Sequence, residues 1–432
     1  MPRWTNWSGT VSTDVPVAAP ASVAELARVV AQAAGRGQRV KPIGAGHSFT
    51  AIGATDGLQL RLDRLAGVVQ ADRASGRVTV LAGTTLHALN ETLWELDLSM
   101  TNLGDIDVQT ISGAISTGTH GTGLKYGGIA TQVRELELVR ADGSLLRCSA
   151  DENADVFAAA RVGLGALGVI ATVTLQCEPA FALAAAEAPA TLDEVLADLD
   201  ELVVGNDHFE FYWFPHTRRV LTKRNNRVLP GTQLRPVGRF RHWFDDELLS
   251  NTVYERINRL TTRRPALIPR ANDLATRLLG ARDYIDRAHR VFASVRTVRF
   301  REMEYALPRA AVPEVLGEIE AYLARSGEQI GFPVEVRFAA ADDIWLSTAY
   351  GRETGYVAVH QYHRREYEPY FRAVEAIAQA AGGRPHWGKI HYRDAESLRE
   401  VYPRFADFVA VRDRLDPDRR FGNDYLARVL GG

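Results

Sequence analysis

The chain has 432 residues, 46% of them hydrophobic, which is long enough for two ordinary cores and too long for one. Lys and Arg (51) nearly balance Asp and Glu (53), so bulk charge gives no argument for a nucleic-acid or membrane-surface partner, and a small ligand is expected instead. The N-terminal run Met1-Pro-Arg-Trp-Thr-Asn-Trp7 has no apolar signal core and no stretch of about 18 apolar residues occurs, so no membrane span is expected and the cytoplasm is the default setting.

Ser22-Val-Ala-Glu25 has capping-box spacing, and Val23, Leu26, Ala27 and Val30 recur at helical intervals up to Gly35, which predicts a helix. Val40 to Ile43 then runs as a strand into the glycine-rich turn Gly44-Ala-Gly46-His47-Ser48. Leu58 to Leu62, Val68 to Asp72 and Val78 to Ala82 predict strands, and Thr84 to Leu96 a helix. Val133 to Val139 and Leu145 to Cys148 read as a hairpin about Ala141-Asp-Gly143, followed by a helix over Ala154 to Val162 and a strand over Val169 to Leu175. After Cys177 the pattern changes, so a boundary near 178 is the simplest account. Thr191 to Leu202 predicts a helix and His208 to Phe214 an aromatic strand, while residues 216 to 295 are rich in arginine and show no clear period. Arg299 to Tyr305, Val334 to Phe338 and Tyr356 to Tyr362 predict strands of one further sheet, with a helix over Val312 to Ala324. Cys148 and Cys177 lie in no CxxC and are expected as buried free thiols.

Three glycine-rich segments compete for a phosphate-binding role. Gly163-Leu-Gly165-Ala-Leu-Gly168 fits G-x-G-x-x-G, but the helix precedes it and the strand follows, the reverse of a dinucleotide fingerprint, so it reads as a tight helix-to-strand turn. Gly44 to Thr50 follows a strand, and its glycines let backbone N–H groups approach phosphate oxygens. Thr117-Gly-Thr-His-Gly-Thr-Gly123 has the same character, and the two turns together are expected to clamp one pyrophosphate. Neither ends in the Gly-Lys-Ser/Thr of a P-loop, which argues against nucleoside-triphosphate chemistry. By spacing alone, His47 is a histidine in a glycine turn.

Further on, Glu335 and Arg337 are two apart on a predicted strand and so share a face, either as a satisfied ion pair or as a functional one. His360 and His363 are three apart on a strand and point to opposite faces, and no H-E-x-x-H helix exists, so these two with His386 and His391 predict no metal site.

Taken together, Gly44 to Phe49, then Gly104-Asp-Ile-Asp with Ser112-Gly-Ala114 and Thr117 to Gly123, and finally His386-Trp-Gly-Lys389, Leu415-Asp-Pro417 and Phe421-Gly-Asn423 resemble the vanillyl-alcohol-oxidase-type flavoproteins. More narrowly they resemble the bacterial aldonolactone oxidases and dehydrogenases and their alditol oxidase relatives, over essentially the whole chain. The resemblance implies an α+β, two-domain FAD-binding fold of the PCMH type. Residues 1–177 would form the FAD domain, 178–385 a substrate-binding cap built on an antiparallel sheet, and 386–432 a segment returning to the FAD domain. It implies FAD held covalently through its 8α-methyl group by His47, with Gly44, Ala45, Gly46, Ser48, Thr110, Gly113, Thr117, Gly118, Thr119, His120, Gly121 and Ile170 around the cofactor.

On the substrate side the resemblance implies that Arg337 and Lys389 hold the reacting oxygen, that Glu335 orients hydroxyls and assists proton removal, and that His360 supports them. Gly104 matches the position beside the flavin where an alanine obstructs oxygen in plant dehydrogenase-type relatives, which implies O2 as electron acceptor and H2O2 as product. Asp105 and Tyr362 stand where alditol oxidases carry serine and threonine, and both would face the substrate. These departures favour an L-gulono-, L-galactono- or D-arabinono-1,4-lactone over a linear polyol, with an ascorbate-type product. A flavin-binding electron relay is the reading from another class. It would need no such charged pocket.

Overall fold

The computed structural model describes residues 3–238, 253–294 and 297–432; part of the arginine-rich stretch with no clear period therefore lies outside the described residues. Ser22 opens helix α1 (Val23–Gly35): its hydroxyl accepts from Glu25 N–H, and Leu26, Val30 and Ala33 form the buried face. Strand β1 (Val40–Ile43) pairs in parallel with β2 (Leu58–Arg61), and the segment between them carries His47. Strands β3 (Val68–Asp72), β4 (Arg77–Leu81), β5 (Val133–Val139), β6 (Leu145–Ser149) and β7 (Val169–Gln176) form an antiparallel sheet in the order β6-β5-β7-β4-β3. Helices α2 (Leu86–Glu95), α3 (Ile111–Ser116) and α4 (Ala154–Ala160) pack with these strands. Residues Gly163 to Gly168 make the helix-to-strand turn between α4 and β7, with Leu164, Gly165 and Gly168 at positive φ.

The second sheet has eight strands: β8 (Ala182–Thr191), β9 (His208–Trp213), β10 (Arg219–Arg227), β11 (Arg282–Arg287), β12 (Phe300–Pro308), β13 (Val334–Ala339), β14 (Thr354–Tyr362) and β15 (Arg384–Pro385). Their order is β11-β8-β10-β9-β13-β14-β12-β15, antiparallel throughout. The alanine-rich β8 has no β-branched signal except its terminal threonine, and pairing along both edges decides its conformation. The helix expected over Thr191 to Leu202 is two short ones, α5 (Leu192–Ala197) behind a Thr191–Glu194 capping box and α6 (Leu199–Gly205), parted at Asp198.

Register divides this sheet into two unlike faces. Glu302 lies opposite His360, Glu304 and Glu335 both lie opposite Ala358, and Arg337 lies opposite Tyr356, so these side chains share one face. The alternate residues Val334, Val336, Val357, Val359 and Met303 form the other, packed in one cluster with Val315, Leu316 and Ile319 of α7 (Val312–Ser326) and Phe371 and Val374 of α8 (Glu368–Ala380). The polar face meets the first half of the chain, which has a core of its own.

That first core does not respect a cut in sequence: Ala288, Val291, Phe292 and Ile344 to Leu346 pack into it, and so do Trp387, Leu398, Phe408 and Leu426 near the C-terminus. The return of the C-terminal segment is also hydrogen-bonded. Phe49 N–H donates to Gly388 O at 2.7 Å, and Asn423 Nδ2 donates to the carbonyls of Ala51, Ile52 and Ala54. Cys148 and Cys177 are buried and unpaired, and among the described residues no helix is long and apolar enough to cross a membrane.

Candidate active site

A cavity opens at the end of β1. Its walls include Gly44, Ala45, Gly46, His47 and Ser48 on one side, Thr110, Ser112, Gly113, Ser116 and Thr117 on another, and Leu164, Gly165, Gly168 and Ile170 on a third. Space dictates glycine at position 44, where a Cβ would meet Thr110 Oγ1 at 2.6 Å, and backbone conformation favours it at Gly46, with φ +71°. Among the described residues the lining carries several hydroxyls, the ammonium of Lys41 and no carboxylate, so the residues present fit the anionic pyrophosphate of FAD. Lys41 is fully buried under the cavity, donating to Gly165 O at 3.0 Å and Phe421 O at 2.9 Å; burial lowers its pKa to about 7 against the pull of Asp416.

The cavity is lined by only part of the two glycine turns expected to face it. Thr117 reaches the cavity, but Gly118, Thr119, His120 and Gly121 are not part of its lining. The chain turns away at Gly118 (φ +76°), Thr119 Oγ1 accepts from Gln109, a Cβ on Gly121 would strike Leu103 O at 2.1 Å, and His120 points toward the eight-stranded sheet. The opposing wall is instead the Gly163 to Gly168 turn, whose order of elements had argued against a nucleotide role. A glycine turn can approach phosphate without being a dinucleotide fingerprint.

His47 is half-buried at the cavity edge, its ring stacked on Trp7 with centroids 5.2 Å apart. Burial lowers its pKa to about 4; the charge of Lys389 adds to this, and Asp105 and Glu302 oppose it. The imidazole is therefore neutral at pH 7.

Across the interface the polar sheet face presents two ion clusters. Arg337 gathers three carboxylates: Glu210 Oε2 at 3.0 Å, Asp105 Oδ2 at 3.3 Å, and Glu335 in close contact. Burial works against the guanidinium, but Asp105, Glu335 and Glu210 outweigh it and hold its proton well above the usual arginine range. The Tyr212 hydroxyl donates to Glu335 at 3.3 Å, and Lys223 stands 3.5 Å from Glu210. In the second cluster Lys389 Nζ lies 2.5 Å from Glu302, and His360 Nε2 lies 3.6 Å from the other oxygen of the same carboxylate. Burial opposes both charges of the lysine pair, yet Glu302 is held down to about 2 and Lys389 is raised, because each stabilises the other.

The structure thus brings Glu335, Arg337 and Asp105 together, and Lys389 and His360 together. It does not bring the Tyr362 hydroxyl to either cluster. That hydroxyl donates to Glu255 at 2.7 Å on the helix Tyr254–Arg263. Gly104 lies buried against the next glycine turn, where a Cβ would stand 3.2 Å from both His120 O and Thr119 Cγ2.

Several partners escaped the sequence reading. Glu302 and Glu304 sit two apart in Phe300-Arg-Glu-Met-Glu-Tyr305, and Glu210 lies amid the aromatics of β9; the alternation that singled out Glu335 and Arg337 was there to find them. Of the histidines weighed for a metal, His360, His363 and His391 do not gather among the described residues. His120, Glu304 and His386 do, with ligand atoms within 4.8 Å of one another. His120 Nδ1 faces Gly121 O at 2.9 Å and Nε2 faces Glu304 at 3.1 Å, so each ring nitrogen has an oxygen partner within the protein.

The D-arabinono-1,4-lactone oxidase profile matches residues 173–429, and an FAD-binding-domain profile matches residues 16–149. The chain belongs to the D-arabinono-1,4-lactone oxidase family. Membership makes it an FAD-dependent oxidoreductase and accounts for the cavity. Among its relatives is the L-gulono-1,4-lactone dehydrogenase of Mycobacterium tuberculosis, 47% identical over 100% of this chain and 99% of that protein. The L-gulonolactone oxidase of Bos taurus is 37% identical over 95% and 94%, and the alditol oxidase of a Streptomyces species 32% identical over 99% of each. The fold of this lactone oxidase family member is that of the cholesterol oxidase from B. sterolicum, with a TM-score of 0.84 at 18% identity over 99% of this chain and 96% of that one.

Proposed function

We propose that the protein oxidises an aldono-1,4-lactone of the gulono, galactono or arabinono type at the ring carbon beside the carbonyl, and that it holds FAD covalently through His47. The observation that carries this reading is the facing of a neutral imidazole, at the edge of a hydroxyl-lined cavity, by two buried ion clusters on the sheet opposite. When bound, FAD supplies the hydride acceptor. The chain does the rest.

Arg337 and Lys389 hold the reacting oxygen and stabilise negative charge as it develops there. His360 Nδ1 faces the Pro333 carbonyl at 3.0 Å and donates its proton there, while the buried Nε2, 3.6 Å from Glu302, has no hydrogen-bond partner among the described residues. That nitrogen takes the hydroxyl proton, and Glu302 at 3.6 Å balances the resulting imidazolium. Glu335, tied to Arg337 and accepting from Tyr212, orients hydroxyls. A cytoplasmic setting belongs to the same reading and is supported by the two unpaired buried thiols.

Anaerobic bleaching of the flavin by the three lactones, set against xylitol and sorbitol, tests the substrate. Bleaching by polyols alone, or by nothing in the panel, overturns it. The anchor is tested by colour: wild-type protein is expected to stay yellow after acid precipitation, and His47→Ala to release all of its flavin. Dioxygen as acceptor is supported by Gly104, which keeps a methyl group out of the space beside His120 O. The mycobacterial relative's name as a dehydrogenase favours a second reading, a non-oxygen acceptor. Gly104→Ala is expected to slow reoxidation in air by about tenfold, about 1.4 kcal/mol of barrier, with anaerobic bleaching intact; unchanged reoxidation favours the second reading.

A further inference from the structure

Among the described residues no hydrogen bond holds the His47 imidazole. What faces it is the indole of Trp7, offset-stacked at 5.2 Å with 21° between planes. The segment that carries the indole is itself held. The Trp7 backbone N–H donates to Gly46 O at 2.8 Å, Asn6 Nδ2 to Ser48 O at 2.9 Å and Thr10 Oγ1 to Phe49 O at 3.0 Å, so residues 6–10 are tied along the backbone of the turn that carries His47. The indole also meets Phe49 (6.1 Å) and Phe300 (5.1 Å) edge-on, and Phe300 stands edge-on to His360 at 5.1 Å. The tryptophan near the N-terminus is thus wedged between the FAD half and the eight-stranded sheet.

We propose that Trp7 is the positioning residue for flavin attachment: its indole fixes the plane of the His47 ring and keeps water from it, so that an imidazole nitrogen is presented to the flavin 8-methyl carbon. The proposal rests on the reading of His47 as the anchor. Attachment forms a bond between that nitrogen and the 8-methyl carbon. The carbon gives up one C–H proton, the imidazole its N–H proton, and the two electrons released pass with two protons into the flavin ring, from which dioxygen removes them as hydrogen peroxide. The nucleophile must be uncharged. Desolvation is the largest influence keeping it so, and the charged groups that act on it are Lys389 from the C-terminal segment, Asp105 from the FAD half and Glu302 from β12. Trp7 covers one face of the ring, so its removal lets water reach the imidazole.

Full-length Trp7→Ala, Trp7→Leu and Trp7→Phe test this, each incubated with added FAD in air. Two readouts are taken: flavin absorbance of the native protein, and the fraction of flavin surviving acid precipitation, followed in time at several pH values. Trp7→Ala is expected to bind FAD but attach it at least about tenfold more slowly. Its attachment is also expected to fail below about pH 6.5, the ordinary histidine value, where wild type still attaches. Trp7→Phe, which keeps a stacking ring, is expected to recover most of the rate and the wild-type pH profile. Wild-type rate and pH profile in Trp7→Ala overturn the proposal. If Trp7→Ala does not bind FAD, Trp7→Phe is expected to attach faster than Trp7→Leu, and equal rates overturn the proposal. A wild type that retains no flavin after precipitation overturns the His47 reading itself, a different result.

Discussion

Arg337→Met is expected to slow flavin reduction by substrate by about 10²–10³-fold and to cost about 3–5 kcal/mol of stability, two losses with separate readouts. The rate loss follows from removing a fixed guanidinium from where charge develops. The stability loss follows from what remains: Glu210, Glu335 and Asp105 converge on that one cation, and the two glutamates are almost fully buried. Methionine fills the space and neutralises nothing. Arg337→Lys separates the two effects, because an ammonium restores the charge but cannot span three carboxylates in a planar fork. It is expected to regain most of the melting temperature and little of the rate. Anaerobic stopped-flow reduction and thermal melts check both. If Arg337→Met melted early yet reduced its flavin at near wild-type speed, the arginine would be an ion-pair hub and the charge-stabilising role would fall.

The parts of this site that were legible in sequence are those whose cause is local. Gly44 is glycine because Thr110 leaves no room for a Cβ, and such a turn after a strand can be recognised without the fold. Glu335 and Arg337 are legible because the acid and its base stand two apart on one strand. Glu302 is as deeply buried, but its lysine is 87 residues away, and in sequence it is only one acid among neighbours of ordinary kind. Glu304 and His120 belong to different halves of the molecule, so only the docking of the sheet reveals the pair. How far the second glycine turn lines the cavity was not legible for a related reason. Thr117 to Gly123 has the right composition, but after Gly118 its direction is set by packing against Leu103 and by the entry of His120 into the second half. Tyr362 shares a face with His360, as alternation predicts, yet a glutamate on a helix from the stretch without clear period takes its hydroxyl.

Lys389→Met is expected to reverse the sign of the protein's pH dependence on the acid side. In wild type, burial alone would raise the Glu302 carboxyl, but the opposing influences, Lys389 foremost, outweigh it and hold the group at about 2. An unfolded glutamate titrates near about 4.3. Between those values the unfolded chain binds a proton that the folded one does not, so this contribution is fully present above about pH 4.3 and is lost as pH falls toward 2. Removing the ammonium leaves burial in control. The folded variant then keeps a proton, on Glu302 or shared with His360, at pH values where the unfolded carboxylate has lost its own, and its stability falls as pH rises from about 4.3 toward neutrality. At pH 7 the broken pair is expected to cost about 3–5 kcal/mol. Melting temperatures between about pH 4.5 and 7.5 check the sign, flat or rising for wild type and falling for the variant. Lys389→Arg keeps the charge and should keep the wild-type slope. Parallel slopes in Lys389→Met and wild type would mean that Lys389 does not hold the charge on Glu302, and His360 would then have no ionised carboxylate behind it when it takes the substrate proton.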